Sequence, residues 1–147
     1  MGVKIENRPY GPLSSLEDIE ALKERVYLLD DDIIMWQEIP ISSVFSVEKF
    51  TEKLNEITDD ISHYYLLVDL SNTHRPSAKV RATLKREYAK LSDFKHVAVF
   101  TGANFMMKIA SKFILSFVGL PSYSVHRTME DALTEIAEHK RKNSVAV

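Results

Sequence analysis

The sequence is short of the residues on which many catalytic and nucleotide-binding motifs depend. Cysteine is absent from its 147 residues, which excludes disulfides, thiolate metal sites and a thiol nucleophile. Glycine occurs only four times, and no Walker loop, Gly-x-Gly-x-x-Gly fingerprint or Gly-x-Ser-x-Gly elbow is present. The small number of glycines and the absence of these motifs argue against a loop that binds a nucleotide. No catalytic triad can be assigned from the sequence.

The net charge of the chain is small, and its apolar runs are short. The formal net charge is −2 at pH 7, so no global field attracts nucleic acid. No apolar run approaches the roughly 20 residues that span a bilayer, and residues 1–6 lack the apolar core of a signal peptide. Hydrophobic residues make up 45% of the chain and charged residues 27%, which is typical of one globular domain. We therefore expect a cytoplasmic protein with no nucleic-acid partner and no membrane span.

The most informative stretch is a continuous apolar run, residues 64–68, which ends at Asp69 and is followed by turn-forming residues. Such a run predicts a strand buried on both faces, at the centre of a sheet. Ligands and regulatory chemistry collect at the carboxyl ends of central strands, so Asp69 and Ser71 are candidate site residues. Asp69 could hold a phosphoryl group or a metal, but we favour a carboxylate that accepts N–H bonds from its own turn.

Helical and strand patterns alternate along the rest of the chain. The order β-β-α-β-α-β-α-β-α, preceded by a short helix, predicts an α/β fold with a mostly parallel sheet that is entered through a hairpin. We expect an arm and short helix over 1–25, a domain over 26–140 and a flexible tail over 141–147. Predicted strands cover 26–29, 33–39, 64–70, 96–100 and 122–126. Predicted helix caps are Ser14 or Ser15, Ser46, Ser77, Asn104 and Thr128.

Acidic and histidine residues do not form a metal-binding pattern. Asp30, Asp31 and Asp32 are consecutive, and consecutive side chains point in different directions, so a solvated turn is favoured over an ion site. No pair of histidines has the spacing of metal ligands. We therefore predict no catalytic residue, no metal and no cofactor. The five histidines are at positions 63, 74, 96, 126 and 139.

The helix over 104–118 is apolar on most sides, with Met106, Met107 and Phe113 among its apolar residues. Such a helix is either buried, here under residues 1–25, or it presents apolar surface to a partner. An apolar pocket beneath it for a lipid or another small molecule is a further alternative. The preceding helix is rich in basic residues, including Lys79 and Arg81, which fit a solvated face or a phosphate-binding patch.

Four segments carry a resemblance to a known family: residues 67–71, 97–100, 108–113 and 125–133. With the element order, they resemble STAS domains, and more narrowly the SpoIIAA-like anti-sigma-factor antagonists. The resemblance implies a regulatory protein whose partner is a kinase or an anti-sigma-like regulator. It also implies a phosphorylated serine at the start of the helix after the central strand. The family's Asp-Ser-x-Gly-Leu motif is missing here, and Ser77, whose other role is a helix cap, is the displaced candidate.

These observations predict a non-enzymatic module for protein–protein interaction. Its surface would combine the loop over 70–77, the start of the following helix and the helix over 104–118. An alternative is a response-regulator receiver with Asp69 as phospho-acceptor, although residues 33–39 favour a strand where a receiver has a helix. A homodimer and a carrier of a small apolar ligand are the remaining alternatives.

Overall fold

A computed structural model describes residues 4–91, 94–120 and 122–145, without the side chains of Phe105, Met106, Phe113 and residues 143–145. The expected order of elements is confirmed, including the short first helix. The elements are α1 (Leu16–Lys23), β1 (Val26–Asp30), β2 (Ile33–Gln37), α2 (Val44–Thr58), β3 (Tyr64–Asp69), α3 (Ala78–Ala89), β4 (Phe94–Phe100), α4 (Phe105–Val118), β5 (Tyr123–His126) and α5 (Met129–Val145).

The five described strands form one mixed sheet in the order β1-β2-β3-β4-β5. The first pair is antiparallel and the other three pairs are parallel. The α/β class and the entry hairpin are therefore confirmed. The apolar strand β3 lies at the centre, and its first five residues are all buried.

Helices cover the two faces of the sheet unequally. Three helices, α2, α3 and α4, each connect neighbouring parallel strands, and such crossovers are right-handed, so all three lie on one face. Their buried residues, including Phe50, Tyr88 and Leu115, share one core with β3. On the opposite face, Ala132 and Ile136 of α5 pack against a second core.

The side chain of Trp36, on β2, lies at the centre of an aromatic group in the larger core. The Trp36 ring meets the ring of Phe50 edge-on at 5.2 Å and that of Tyr88 at 5.6 Å. Its Nε1–H donates to Oε2 of Glu38 at 3.1 Å, while the Ile39 N–H donates to Oε1 at 3.1 Å. Burial raises the pKa of the Glu38 carboxyl, and these hydrogen bonds oppose that rise.

The predicted helix caps are confirmed with one exception. Side chains of Ser15, Ser77 and Asn104 accept backbone N–H bonds at the starts of α1, α3 and α4. The prediction that Ser46 caps α2 is wrong, because the helix begins at Val44 and Ser43 is the cap. Ser43 accepts from the Ser46 N–H at 3.0 Å and Ser46 accepts from the Ser43 N–H at 2.9 Å, a reciprocal pair that fixes the earlier start.

The N-terminal arm packs at the opposite end of the helical layer from α4. Tyr10 and Leu22 are buried in the larger core, and the Ser43 hydroxyl donates to the Tyr10 carbonyl at 2.6 Å. Helix α1 packs against α2. The alternative in which residues 1–25 cover α4 therefore gains no support from α1, and it stays a prediction. Helix α5 continues to Val145, beyond the predicted start of the tail, and the division into arm, domain and tail stays a prediction.

Candidate functional site at the carboxyl edge of the sheet

Backbone hydrogen bonds hold the ends of three parallel strands together. The Leu70 N–H donates to the Phe100 carbonyl at 2.9 Å, and the Thr101 N–H donates to the His126 carbonyl at 3.1 Å. The next bond joins the Gly102 N–H to the Arg127 carbonyl at 2.8 Å. The turns that follow β3, β4 and β5 therefore meet at one edge, the carboxyl edge of the parallel strands.

Asp69 organises the first of these turns. Its Oδ1 accepts from the Ser71 N–H at 2.9 Å and from the Ser71 hydroxyl at 2.6 Å. The favoured interpretation of Asp69 as a turn-forming carboxylate is confirmed. The described residues contain no cluster of three or more metal-ligating side chains. The response-regulator receiver alternative requires a helix directly after the acidic residues 30–32, but the strand β2 follows them.

A groove of about 460 Å³ opens between the loop after β3 and the first turns of α4. We call it the carboxyl-edge groove; residues 73–75 line one side, and Asn104, Met107 and Ile109 line the other. Thr73 is buried, and the His74 N–H donates to the Pro40 carbonyl at 2.9 Å, which anchors the loop. Ile109 is 54% exposed, so the groove offers apolar surface to solvent.

A second cavity of about 280 Å³ lies beside the groove and shares Asn104 with it. We call it the basic cavity; its described lining is residues 101–104, Lys108 and Arg127. Thr101 is 1% exposed, and no described atom forms a hydrogen bond with its Oγ1. A buried hydroxyl without a hydrogen-bond partner lowers the stability of the folded state by about 1–3 kcal/mol, and such groups are rare in native proteins.

Gly102 keeps the turn between β4 and α4 close to Ser71. Its φ is +62°, in the left-handed region that side chains disfavour. A Cβ at this position would lie 3.2 Å from the Cβ of Ser71. The tight approach of the two turns therefore depends on a residue without a side chain.

The surface residues expected from the sequence fall partly on this edge. Ser77 is exposed and accepts from the Val80 N–H at 3.2 Å as the cap of α3. Lys79 is exposed, whereas Nη1 of Arg81 donates to the Pro76 carbonyl at 2.8 Å. Met107 is buried and lines the carboxyl-edge groove. The side chains of Met106 and Phe113 lie outside the described part of the chain.

The core beneath α4 contains a cavity of only about 50 Å³, lined in part by Trp36, Glu38, Tyr88 and Ser111. Pockets for drug-sized ligands measure roughly 300–1,000 Å³. As it stands, this cavity is too small for a lipid. The apolar-carrier alternative stays a prediction.

A cluster of histidines and serines lies between the sheet and α5. His96 is buried, its Nδ1 lies 2.6 Å from Oγ of Ser122, and its Nε2 lies 2.8 Å from Oγ of Ser124. Nε2 of His126 lies 2.6 Å from the same Ser124 oxygen, and the His139 ring lies 5.1 Å from that of His96. Burial, reinforced by His139, lowers the pKa of His96 to about 4, so its ring is neutral at pH 7.

Several of these residues could not be grouped from the sequence. The histidines are scattered along the chain, and Lys108 and Arg127 were not predicted to belong to a site. The signal for Arg127 was its position directly after β5, next to the end of β4. The signal for the cluster was the alternation of Ser122, Ser124 and His126 along β5 and the residue before it, which is the pattern of side chains on one face of a strand.

Comparisons with known protein families, with curated proteins and with solved structures found no match to this chain. The function must therefore be argued from the site itself. Within residues 4–91, 94–120 and 122–145, no helix has both the length and the apolar character that crossing a membrane requires.

Proposed function

We propose that this chain is a non-enzymatic regulatory module of the STAS-like type that binds an acidic segment of a partner protein in the carboxyl-edge groove. One observation supports this proposal above the others. Arg75 and His74 line one wall, exposed Ile109 lines the opposite wall, and no described lining residue carries a carboxylate. A segment with both acidic and apolar side chains is the complementary ligand.

The two halves of the groove have different roles in binding. Exposed ion pairs contribute little affinity, about 0–1 kcal/mol each, so Arg75 would mainly select and orient an acidic partner. The apolar contact with Ile109, which is exposed, removes hydrocarbon from water and supplies most of the affinity. A protein segment offers both kinds of side chain at once, which favours it over a small anion in this groove.

Ser77 provides a route to regulation that the STAS resemblance also implies. It is exposed, caps α3 and follows Arg75 by two residues. Phosphorylation adds about −1.5 to −2 units of charge. Such a charge at this position would compete with an acidic segment for Arg75 and weaken its binding. The enzyme that adds the phosphate would be a partner kinase, and the acidic segment would belong to the regulated protein.

Selection from a random peptide library displayed on phage, with the intact chain immobilised, tests this proposal. Enriched peptides should combine acidic with apolar residues. Arg75→Glu should weaken the best peptide at least tenfold, because it reverses the charge of the wall. The matched control is Arg141→Glu, which makes the same change near the end of α5, beside Lys140 and its partner Asp32 at the opposite edge of the sheet.

Two results would count against the proposed function. One is enrichment of basic or uncharged peptides. The other is equal loss of binding in Arg75→Glu and Arg141→Glu, since that would show a general charge effect and no specific groove.

A further inference from the structure

The basic cavity has the composition of an anion site. Its described lining contains two cationic side chains, Lys108 and Arg127, and no carboxylate. Within the described residues, no acidic oxygen lies within 4.0 Å of either cation, whereas other basic residues of the chain, such as Lys140, have such partners. Two unneutralised cations beside one cavity favour a ligand that carries more than one negative charge.

The N-terminal end of α4 adds to the positive electrostatic potential in the basic cavity. The helix has 14 residues, and its N-terminal end adjoins the cavity through the cap residue Asn104. A helix N-terminus carries a partial positive charge and favours anions. Oδ1 of Asn104 accepts from the Met107 N–H at 3.1 Å, which leaves its Nδ2 as the group that can donate to a ligand.

Thr101 supplies independent support for a bound ligand. Its hydroxyl is buried without a partner among the described atoms, and the residue lines the same cavity. Buried polar groups in native proteins are normally satisfied by protein, water or ligand. An acceptor oxygen that reached this hydroxyl from the basic cavity would satisfy it, and an apolar occupant would not.

We propose that the basic cavity binds a phosphoryl group, either as free phosphate or as a phosphate monoester. A tetrahedral anion has enough oxygens to meet Arg127, Lys108, Asn104 and Thr101 together. At neutral pH it also approaches the charge of −2 that two cations and a helix terminus match. Gly102 also lines the cavity and has no side chain to fill it. Asp69, an acid at the same edge of the sheet, has its Oδ1 held by two hydrogen bonds from Ser71.

This inference goes beyond the proposed function and does not depend on it. The basic cavity and the carboxyl-edge groove share only Asn104 among their described lining residues. A phosphoryl group could therefore bind in one while the other is empty. The two proposals also have separate critical residues, Arg127 and Thr101 here and Arg75 there.

The test is a titration of the 15N-labelled full chain with inorganic phosphate, at neutral pH and constant ionic strength maintained with sodium chloride. Saturable amide shifts are expected at Gly102, Ala103 and Lys108. Arg127→Gln should weaken binding roughly tenfold, and Thr101→Val, which keeps the side-chain shape, roughly fivefold. Lys142→Gln, which removes a cation near the end of α5, should leave the affinity unchanged within about twofold.

A parallel titration with methyl phosphate separates the two sources of the ligand. Tighter binding than that of inorganic phosphate identifies a monoester, equal or weaker binding identifies free phosphate, and both outcomes support the site. Shifts that do not saturate, or an unchanged affinity in either Arg127→Gln or Thr101→Val, would overturn the proposal.

Discussion

Nδ1 of His96 lies 2.6 Å from Oγ of Ser122, in the core between the sheet and α5. The other ring nitrogen lies 2.8 Å from Oγ of Ser124. A neutral imidazole has one donor and one acceptor, so both serine hydroxyls can be satisfied without a charge. A protonated ring would be buried close to the His139 ring, which explains why the pKa of His96 is lowered to about 4.

His96 should make the fold sensitive to acid. The unfolded chain binds a proton at the usual histidine pKa of about 6.5, whereas the folded chain does so only near 4, so the free energy of unfolding decreases as the pH falls between these values. The loss from this residue should reach at most about 3 kcal/mol, at 1.36 kcal/mol per pKa unit. Urea unfolding at a series of pH values measures it. His96→Asn should reduce the slope in this window, and His63→Asn, which alters an exposed histidine, should not.

Glu38→Gln should destabilise the protein by about 1–3 kcal/mol, because the amide can accept only one of the two hydrogen bonds made by the carboxylate. Its NH2 group would face either the Trp36 Nε1–H or the Ile39 N–H. Urea unfolding measures the change, with Glu48→Gln at a half-exposed position as the control. A Glu38→Gln protein as stable as the unmodified chain would contradict this account of the buried carboxyl.

Gly102→Ala should destabilise the fold by at least about 1 kcal/mol, since a left-handed backbone is costly for a residue with a side chain. The contact with Ser71, at 3.2 Å, adds to that cost. Gly11→Ala is the matched control, because an added Cβ at Gly11 would have no atom within 4 Å. Thermal unfolding of the two variants measures the difference, and equal melting temperatures would show that the turn does not need glycine.

Thr101→Val should leave the unliganded protein as stable as before or more stable, because it removes a buried hydroxyl that lacks a partner. Thr83→Val is the comparison: the Thr83 hydroxyl is also buried but donates to the Lys79 carbonyl at 3.0 Å, so its loss should cost about 1 kcal/mol. Urea unfolding in phosphate-free buffer measures both. A larger loss in Thr101→Val than in Thr83→Val would mean that the Thr101 hydroxyl has a stabilising partner.

Local patterns predicted most of the fold. The apolar run ending at Asp69 predicts the central strand, because a strand covered on both faces typically carries such a run. The acidic turn between β1 and β2 likewise predicts the hairpin. The start of α2 was misplaced because the apolar stripe begins after Ser46, whereas the capping pair extends the helix back to Val44.

The candidate site could not be predicted because its residues are distant in the sequence and meet only through the order of the strands in the sheet. His96 and Ser122 are 26 positions apart and meet only because β4 and β5 are parallel neighbours. The basic cavity likewise joins Thr101 to Arg127 across two turns. No periodicity in a single sequence determines which turns become neighbours in space, so such sites follow only after the sheet order is known.

The most direct test of the account is an amide shift map of the 15N-labelled chain with the best acidic peptide from the phage selection. Perturbed amides should concentrate in residues 70–77 and in the first turns of α4. Arg75→Glu should move this pattern to at least tenfold higher peptide concentration, and Arg141→Glu should leave it unchanged. Perturbations confined to β1 and the C-terminal half of α5, or an unchanged map in Arg75→Glu, would contradict the claim that this protein binds its partner at the carboxyl edge of the sheet.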